Sequence, residues 1–366
     1  MSERQLPRLP APRAKRIVVV GAGSFGTAVS VVLARGGTRT TLQARTPEQA
    51  ELLASSRRNE AYLPGVELPR ELRIEPVSAG LARADLVFLG VPSSGLDEVI
   101  GALRDNGLPS TASVVSLAKG LVPPDGLPPS ILLGDRFGAR RVAVIGGPAH
   151  AQEMVREGAG LVAASTSQEL ATQVQQMFLR GGVVCELSND PVGVELAGAA
   201  KNAAALAAGA TEGQGLNAAG AAAGHIFAEV WRFAEVRGAR PESMIGLAGT
   251  GDLVGTALAP QSRNRRAGEL LAEGIPAAEI VPRIGQAVEA LESVPLLARA
   301  LIGAGVEAPV TTGLARLIAG DLPLAGWVDL VRTTVPPPAR WPLAHGRTPG
   351  WWARLRAWLR RGKPAA

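Results

Sequence analysis

The run Ile17-Val18-Val19-Val20-Gly21-Ala22-Gly23-Ser24-Phe25-Gly26 decides the fold. Four β-branched residues in succession read as a short strand buried on both faces, the habit of parallel sheets covered by helices. A helical run, Thr27 to Arg35, follows, and Thr38–Leu42 is the next candidate strand. Between strand and helix the three glycines have separate tasks. Gly21 permits the tight turn, Gly23 lets the backbone approach a pyrophosphate, and Gly26 lets helix pack on strand. A diphosphate would then lie on free N–H groups at the positive end of a helix. Gly21, Gly23, Ser24, Phe25 and Gly26 are therefore expected to cradle a dinucleotide. The plainer reading is a structural glycine turn.

Outward from this unit, short Val-rich runs alternate with helical stretches. Leu86–Val91, Val114–Leu117, Val142–Ile145 and Val183–Leu187 are the further candidate strands. The alternation predicts a Rossmann-like, doubly wound α/β domain over 16–190. After Pro191 the texture turns to Ala, Leu, Gly and Glu at helical spacing, which predicts an all-helical domain over 191–335. The many glycines of 193–224 argue against single unbroken helices but allow close helix–helix or helix–ligand approach. Residues 1–15 read as a basic flexible arm, and Pro336-Pro337-Pro338 opens a Trp-rich basic tail, 336–366.

The chain carries a formal net charge of +6, which invites a nucleic-acid reading. The surplus is terminal. Residues 1–16 hold five basic groups and one acid, and 337–366 hold seven and none, so the body 17–336 is left at −5. An acidic body is a poor tracker of a phosphate backbone, and no nucleic-acid partner is expected. One cysteine, Cys185, excludes a disulfide scaffold, and three distant histidines offer no metal-ligand spacing. No window offers a clean membrane span, and the first apolar run breaks too soon for a secretory signal. A cytoplasmic protein is expected.

The end of the second strand bears on cofactor choice. An NAD-only site usually places Asp or Glu there for the ribose 2′-OH. Here the chain reads Leu42-Gln43-Ala44-Arg45-Thr46, without an acid. Arg45 can pair with a 2′-phosphate, so the cofactor is NADP(H) or NAD(H), with NADPH accepted. The other reading is a solvated Arg45, or one that stacks on adenine without discriminating.

Lys201 lies in an apolar Ala/Gly stretch with no acid at i±4. Such surroundings disfavour its charge and move its pKa toward working pH, which suits a proton donor to a carbonyl oxygen. The alternative is a lysine snorkelling to solvent. Lys119 falls at the C-terminal end of a candidate strand, where ligands of open α/β sheets bind. Ser262-Arg263-Asn264-Arg265-Arg266 is the densest basic cluster of the body. An Arg fork reads phosphate bidentately, and Ser and Asn add neutral donors. Arg265 and Arg266 are expected to be solvated or ion-paired. Asp252, in Gly249-Thr250-Gly251-Asp252, reads as a helix cap, and Glu289 as a helix-surface acid.

Eight segments occur in order: GAGSFGTA (21–28), VPS (91–93), AKG (118–120), GGPA (146–149), GVELAGAAKN (193–202), GLAGTGDL (246–253), SRNRR (262–266) and VEAPV (306–310). Over about 16–330 the chain resembles the bacterial NAD(P)-dependent glycerol-3-phosphate dehydrogenase family. The resemblance implies reversible reduction of dihydroxyacetone phosphate to sn-glycerol 3-phosphate, a phospholipid precursor. It implies Lys201 as general acid/base and Lys119 touching both cofactor and substrate. It further implies Ser262, Arg263 and Asn264 at the substrate phosphate, and Asp252 contacting substrate hydroxyls or orienting Lys201. Gly147 and Ala149 fall at the substrate, Ala151, Arg263 and Glu289 at the cofactor. The chain departs from the family pattern at Ala149-His150, where Ser-Phe is usual, at Phe25 for Trp and at Ala290 for Gly. These changes bear on affinity rather than reaction type.

Rival readings are a reductase of another phosphorylated ketone or of a keto acid, a sugar-nucleotide dehydrogenase using a catalytic Cys, and a non-catalytic dinucleotide sensor. In the tail, Trp351, Trp352, Leu355, Trp358 and Leu359 share one face at 100° per residue, with Arg356, Arg360, Arg361 and Lys363 away from it. That pattern points to peripheral contact with anionic lipid, or to packing on the protein's own body or a homodimer partner.

Overall fold

The computed structural model describes residues 15–259 and 262–335. The arm and tail expectations lie outside the described residues, apart from Lys15. The strands are β1 (Ile17–Val20), β2 (Thr40–Ala44), β3 (Arg58–Asn59), β4 (Leu63–Glu67), β5 (Arg73–Pro76), β6 (Leu86–Leu89), β7 (Ser113–Ser116), β8 (Val142–Gly146), β9 (Gly160–Ala164) and β10 (Val184–Ser188). Eight of them form one sheet in the order β10-β9-β8-β7-β6-β1-β2-β5, and β3 and β4 make a small separate pair. From β1 the chain proceeds outward to β2 and β5, then returns to the other side of β1 at β6. The switch point therefore lies beyond the C-terminal ends of β1 and β6, where open α/β sheets bind ligands.

Among the described residues the architecture is that expected, a Rossmann-like sheet followed by helices alone from Pro191, with differences in detail of which four bear on the site or the sheet. First, β2 starts two residues later than Thr38, because the Thr38 N–H still closes the preceding helix on the Leu33 carbonyl at 3.0 Å. Second, the helix after the glycine loop begins at Ser24 rather than Thr27, with Gly23 as its N-cap. Third, β6 stops at Leu89 and not Val91, because the next N–H, from Gly90, donates to Val20 at 2.8 Å where the chain passes the glycine loop. Fourth, the sheet is not parallel throughout, since β9 runs antiparallel to β8. That strand was not expected: three of the five residues in Gly160-Leu161-Val162-Ala163-Ala164 are Gly or Ala, weak β formers.

Two helices of 21 residues, Pro191–Thr211 and Leu216–Val236, run unbroken through the glycines of this stretch. The glycines serve packing instead. A Cβ on Gly209 would collide with the Arg265 carbonyl, and one on Gly268 with the Leu206 carbonyl. The Pro191 helix and the helix Arg263–Ala272 therefore touch backbone to backbone, and this contact fixes where Arg263 and Asn264 stand relative to Lys201. Asp190 anchors the start of the Pro191 helix. Its Oδ1 accepts from Gly193 N at 2.8 Å, and its Oδ2 from Arg240 N and Ser243 Oγ, both at 2.7 Å.

One turn further along, Glu195 is buried and ties this helix to the helix Pro129–Phe137. It accepts from Ser130 N at 2.9 and 3.1 Å and from Ser130 Oγ at 2.5 Å. Burial pushes its pKa up to about 8, against the pull of the Ser130 hydrogen bonds and with a push from Asp190. A carboxyl that keeps its proton better when folded stabilises the fold fully below its unfolded pKa. That contribution is lost as pH rises from about 4.5 through about 8. Urea unfolding of the wild type should therefore weaken over that window by an amount on the order of a few kcal/mol, while Glu195→Gln should lack this component. Identical pH slopes in the two proteins would contradict the assignment.

Candidate functional site

The glycine loop closes through contacts that exclude side chains. Gly21 has φ +109°, and a Cβ there would strike the Gly90 carbonyl oxygen, while one on Gly26 would strike the Gly21 carbonyl. Gly23 faces open space within 4 Å. It caps the helix Ser24–Arg35 with no side chain bonded to the end. The first N–H groups of the helix are thus left for an anion. These residues fit the diphosphate of a dinucleotide. Arg45 is exposed just past β2, and its backbone N–H donates to Gln49 Oε1 at 3.1 Å. The strand end itself, Leu42 to Thr46, holds no acid.

Beside the loop, three charged side chains meet. Lys119 follows β7, Lys201 lies in the Pro191 helix, and Asp252 opens the short helix Asp252–Leu258. Asp252 Oδ2 lies 3.0 Å from Lys119 Nζ and 3.5 Å from Lys201 Nζ. All three are sequestered, with side chains 14%, 8% and 5% exposed for Lys119, Lys201 and Asp252 respectively. The Asp252 carboxylate thus bridges two ammonium groups, and the expectation of a helix cap is replaced, since no side chain caps that helix. Lys119 also donates to the Gly147 carbonyl at 3.0 Å and stands 5.7 Å from the Phe25 ring centroid. That cation–π contact joins the glycine loop to the charged cluster.

Burial lowers the pKa of Lys201. Asp252 opposes that shift, Lys119 adds to it and Glu289 opposes it again. Burial alone would raise the Asp252 pKa, but Lys119 and Lys201 together hold it below the usual carboxylate range. The result is a lysine whose proton is held less tightly than usual, beside a carboxylate that stays charged. That combination can deliver a proton to a developing oxyanion and take it back.

The phosphate candidates are built less uniformly. Ser262 caps the helix Arg263–Ala272 by accepting from Arg265 N at 3.4 Å. Arg263 is exposed and donates to the Ala287 carbonyl at 2.9 Å. Asn264 is drawn into the protein: its Nδ2 donates to Asn202 Oδ1 at 2.9 Å, and its Oδ1 accepts from Ala290 N at 3.2 Å. Arg265 pairs with Glu212 and Glu269, and Arg266 with Glu269 and Glu273. Ala149 and Ala151 are half-buried against the core of the sheet. His150 between them is half-buried. Burial lowers its pKa, with Lys201 and Lys119 pushing the same way and Glu153 and Asp252 opposing.

Asn202 carries no role in the sequence reading although it follows Lys201. Its Nδ2 donates to Glu289 Oε2 at 3.0 Å and to the Lys119 carbonyl at 3.2 Å. One amide thus links the Lys119 loop, the Pro191 helix, the Arg263 helix and the start of the helix Glu289–Gly303. Gly90 was likewise missed. Its signal is a glycine at the end of the strand facing the glycine loop. Cys185 is buried in β10, and burial pushes its thiol up to about 12, which removes the thiolate that a cysteine-dependent dehydrogenase needs.

Comparison with known proteins gives consistent matches. Residues 16–171 match the N-terminal model of NAD-dependent glycerol-3-phosphate dehydrogenase, and 190–329 its C-terminal model. A glycerol-3-phosphate dehydrogenase (NAD(P)+) of Deinococcus radiodurans is 38% identical over 307 residues, covering 83% of this chain and 90% of that protein. One from Nocardia farcinica is 40% identical over 314 residues, covering 82% and 93%. Among solved structures, glycerol-3-phosphate dehydrogenase from Coxiella burnetii superposes with a TM-score of 0.81 at 29% identity, covering 87% of this chain and 99% of that one.

Proposed function

The chain belongs to the NAD-dependent glycerol-3-phosphate dehydrogenase family, and on that premise we propose that it reduces dihydroxyacetone phosphate to sn-glycerol 3-phosphate, reversibly, for phospholipid synthesis. The observation that carries the reading is the Asp252 carboxylate held between Lys119 and Lys201 beside the glycine loop. Bound at that loop, NAD(P)H supplies the hydride. Gly21, Gly23, Ser24, Phe25 and Gly26 hold its diphosphate, and Arg45 accepts the phosphorylated ribose of NADP(H). Lys119, Ala151, Arg263 and Glu289 complete its surroundings. In this proposal 16–190 serves as the cofactor domain and 191–335 as the substrate domain.

Lys201 donates its proton to the carbonyl oxygen as the carbonyl carbon is reduced, and recovers it from the hydroxyl in the reverse direction. Lys119 adds positive charge where the oxyanion develops. Asp252 keeps Lys201 charged and oriented. Ser262, Arg263 and Asn264 take the substrate phosphate, with Gly147 and Ala149 bordering the substrate. Asn264 reaches that phosphate by giving up part of its bond to Asn202. Arg263→Ala should raise the KM for dihydroxyacetone phosphate about ten- to a hundredfold, the worth of a charged hydrogen bond, with kcat little changed. An unchanged KM would place the phosphate elsewhere.

The substrate class is tested by initial rates of NADPH oxidation with dihydroxyacetone phosphate against ketopantoate. Preference for the phosphorylated ketone is expected, and preference for the keto acid would overturn the reading. Finer points of the proposal are a cytoplasmic homodimer whose tail, 336–366, touches anionic lipid; among the described residues no helix is long and apolar enough to cross a membrane. The tail reading rests on the Trp-rich basic pattern alone. Equal pelleting of full-length and 1–336 protein with anionic vesicles would remove it.

A further inference from the structure

The far end of the same sheet carries a second concentration of positive charge. In β1, β2 and β5 the residues before or at the strand starts, Arg16, Arg39 and Arg73, alternate onto one face with Val18, Thr41 and Glu75. The register Ile17↔Thr40 sets Arg16 beside Arg39, and the register Thr41↔Arg73 sets Arg73 diagonally next to them. With Arg83 from the segment entering β6, these side chains line a cavity of about 280 Å³. Among the described residues Glu75 is the one acid of the lining, against four arginines, a net charge of +3.

Like charges on neighbouring strands destabilise a sheet, and this crowding stands on a body whose net charge is negative. Among the described residues none of the four guanidinium groups has a carboxylate within ion-pair distance. The neighbouring acid Asp85 is engaged by the Arg16 backbone N–H at 2.8 Å. Four arginines from three strands and a loop line this one cavity, and a guanidinium fork matches the oxygen geometry of a phosphate group. The strands are parallel here, so this cavity lies at the end of the sheet opposite the glycine loop.

We propose that this cavity binds a small multivalent phosphate anion, at a site separate from the dinucleotide and substrate sites. The site does not depend on the proposed reaction. The test is calorimetric titration of the full chain, saturated with NADPH, with inorganic pyrophosphate in one arm and fructose 1,6-bisphosphate in the other, which tells a free from an esterified source. The R39Q/R73Q variant should bind the preferred probe at least tenfold more weakly than the wild type, with kcat and KM for the ketone unchanged. A variant at two exposed arginines elsewhere, R140Q/R299Q, should bind as the wild type does. No binding of either probe by the wild type, or equal affinities in wild type and R39Q/R73Q, or an equal loss in R140Q/R299Q, would overturn the proposal.

Discussion

Lys201→Ala is expected to lower kcat for dihydroxyacetone phosphate reduction about a thousandfold or more, with NADPH binding unchanged within about twofold. A positioned general acid contributes roughly 10²–10⁴ in rate, and Lys201 also adds charge at the developing oxyanion. The side chain is buried on a helix that packs against others on several sides, so truncation leaves the glycine loop untouched. Steady-state kinetics with a separate NADPH titration check both halves of the expectation. A variant with nearly normal kcat would take Lys201 out of the proton transfer.

Asp252→Asn is the second large effect. It keeps the shape of the side chain but removes the charge between Lys119 and Lys201. Burial and Lys119 then lower the Lys201 pKa further, opposed only by Glu289. Reduction needs Lys201 protonated, so its rate falls as pH rises through that pKa. In the variant the fall should begin at lower pH, and kcat near neutrality should drop toward the roughly 10²-fold loss expected when a general acid is lost. Removing one partner of a buried ion cluster also costs on the order of 3 kcal/mol in stability, which a lowered Tm reports. A pH profile of kcat superimposable on the wild type would show that Asp252 does not set the charge of Lys201.

The part of this molecule legible in its sequence is the part built from local contacts. The strand Ile17–Val20, the glycine turn and the helix behind it lie within twenty residues, and Gly21 and Gly26 are each required by a steric fact that its position announces. The edge strand β5 was not legible, because Arg73-Ile74-Glu75-Pro76 holds a single Ile and ends on Pro. In the site, Lys201 stood out because a lysine in an Ala/Gly helix is chemically odd. Its partner was reached only through the family resemblance: Asp252 sits 51 positions on, in a turn that reads equally well as a cap. The Asn202 amide joins residues 62, 83 and 87 positions apart, a link that exists only once the Gly209 and Gly268 backbones are in contact. The same holds for Arg16, Arg39 and Arg73, each ordinary alone and conspicuous only in register.

The most direct test mixes NADPH-loaded enzyme with dihydroxyacetone phosphate and follows cofactor oxidation and product together, for the wild type and Lys201→Ala in parallel. The wild type should oxidise one NADPH for each sn-glycerol 3-phosphate formed, at a rate at least about a thousand times that of the variant. No sn-glycerol 3-phosphate, or equal rates from the two proteins, would contradict the account.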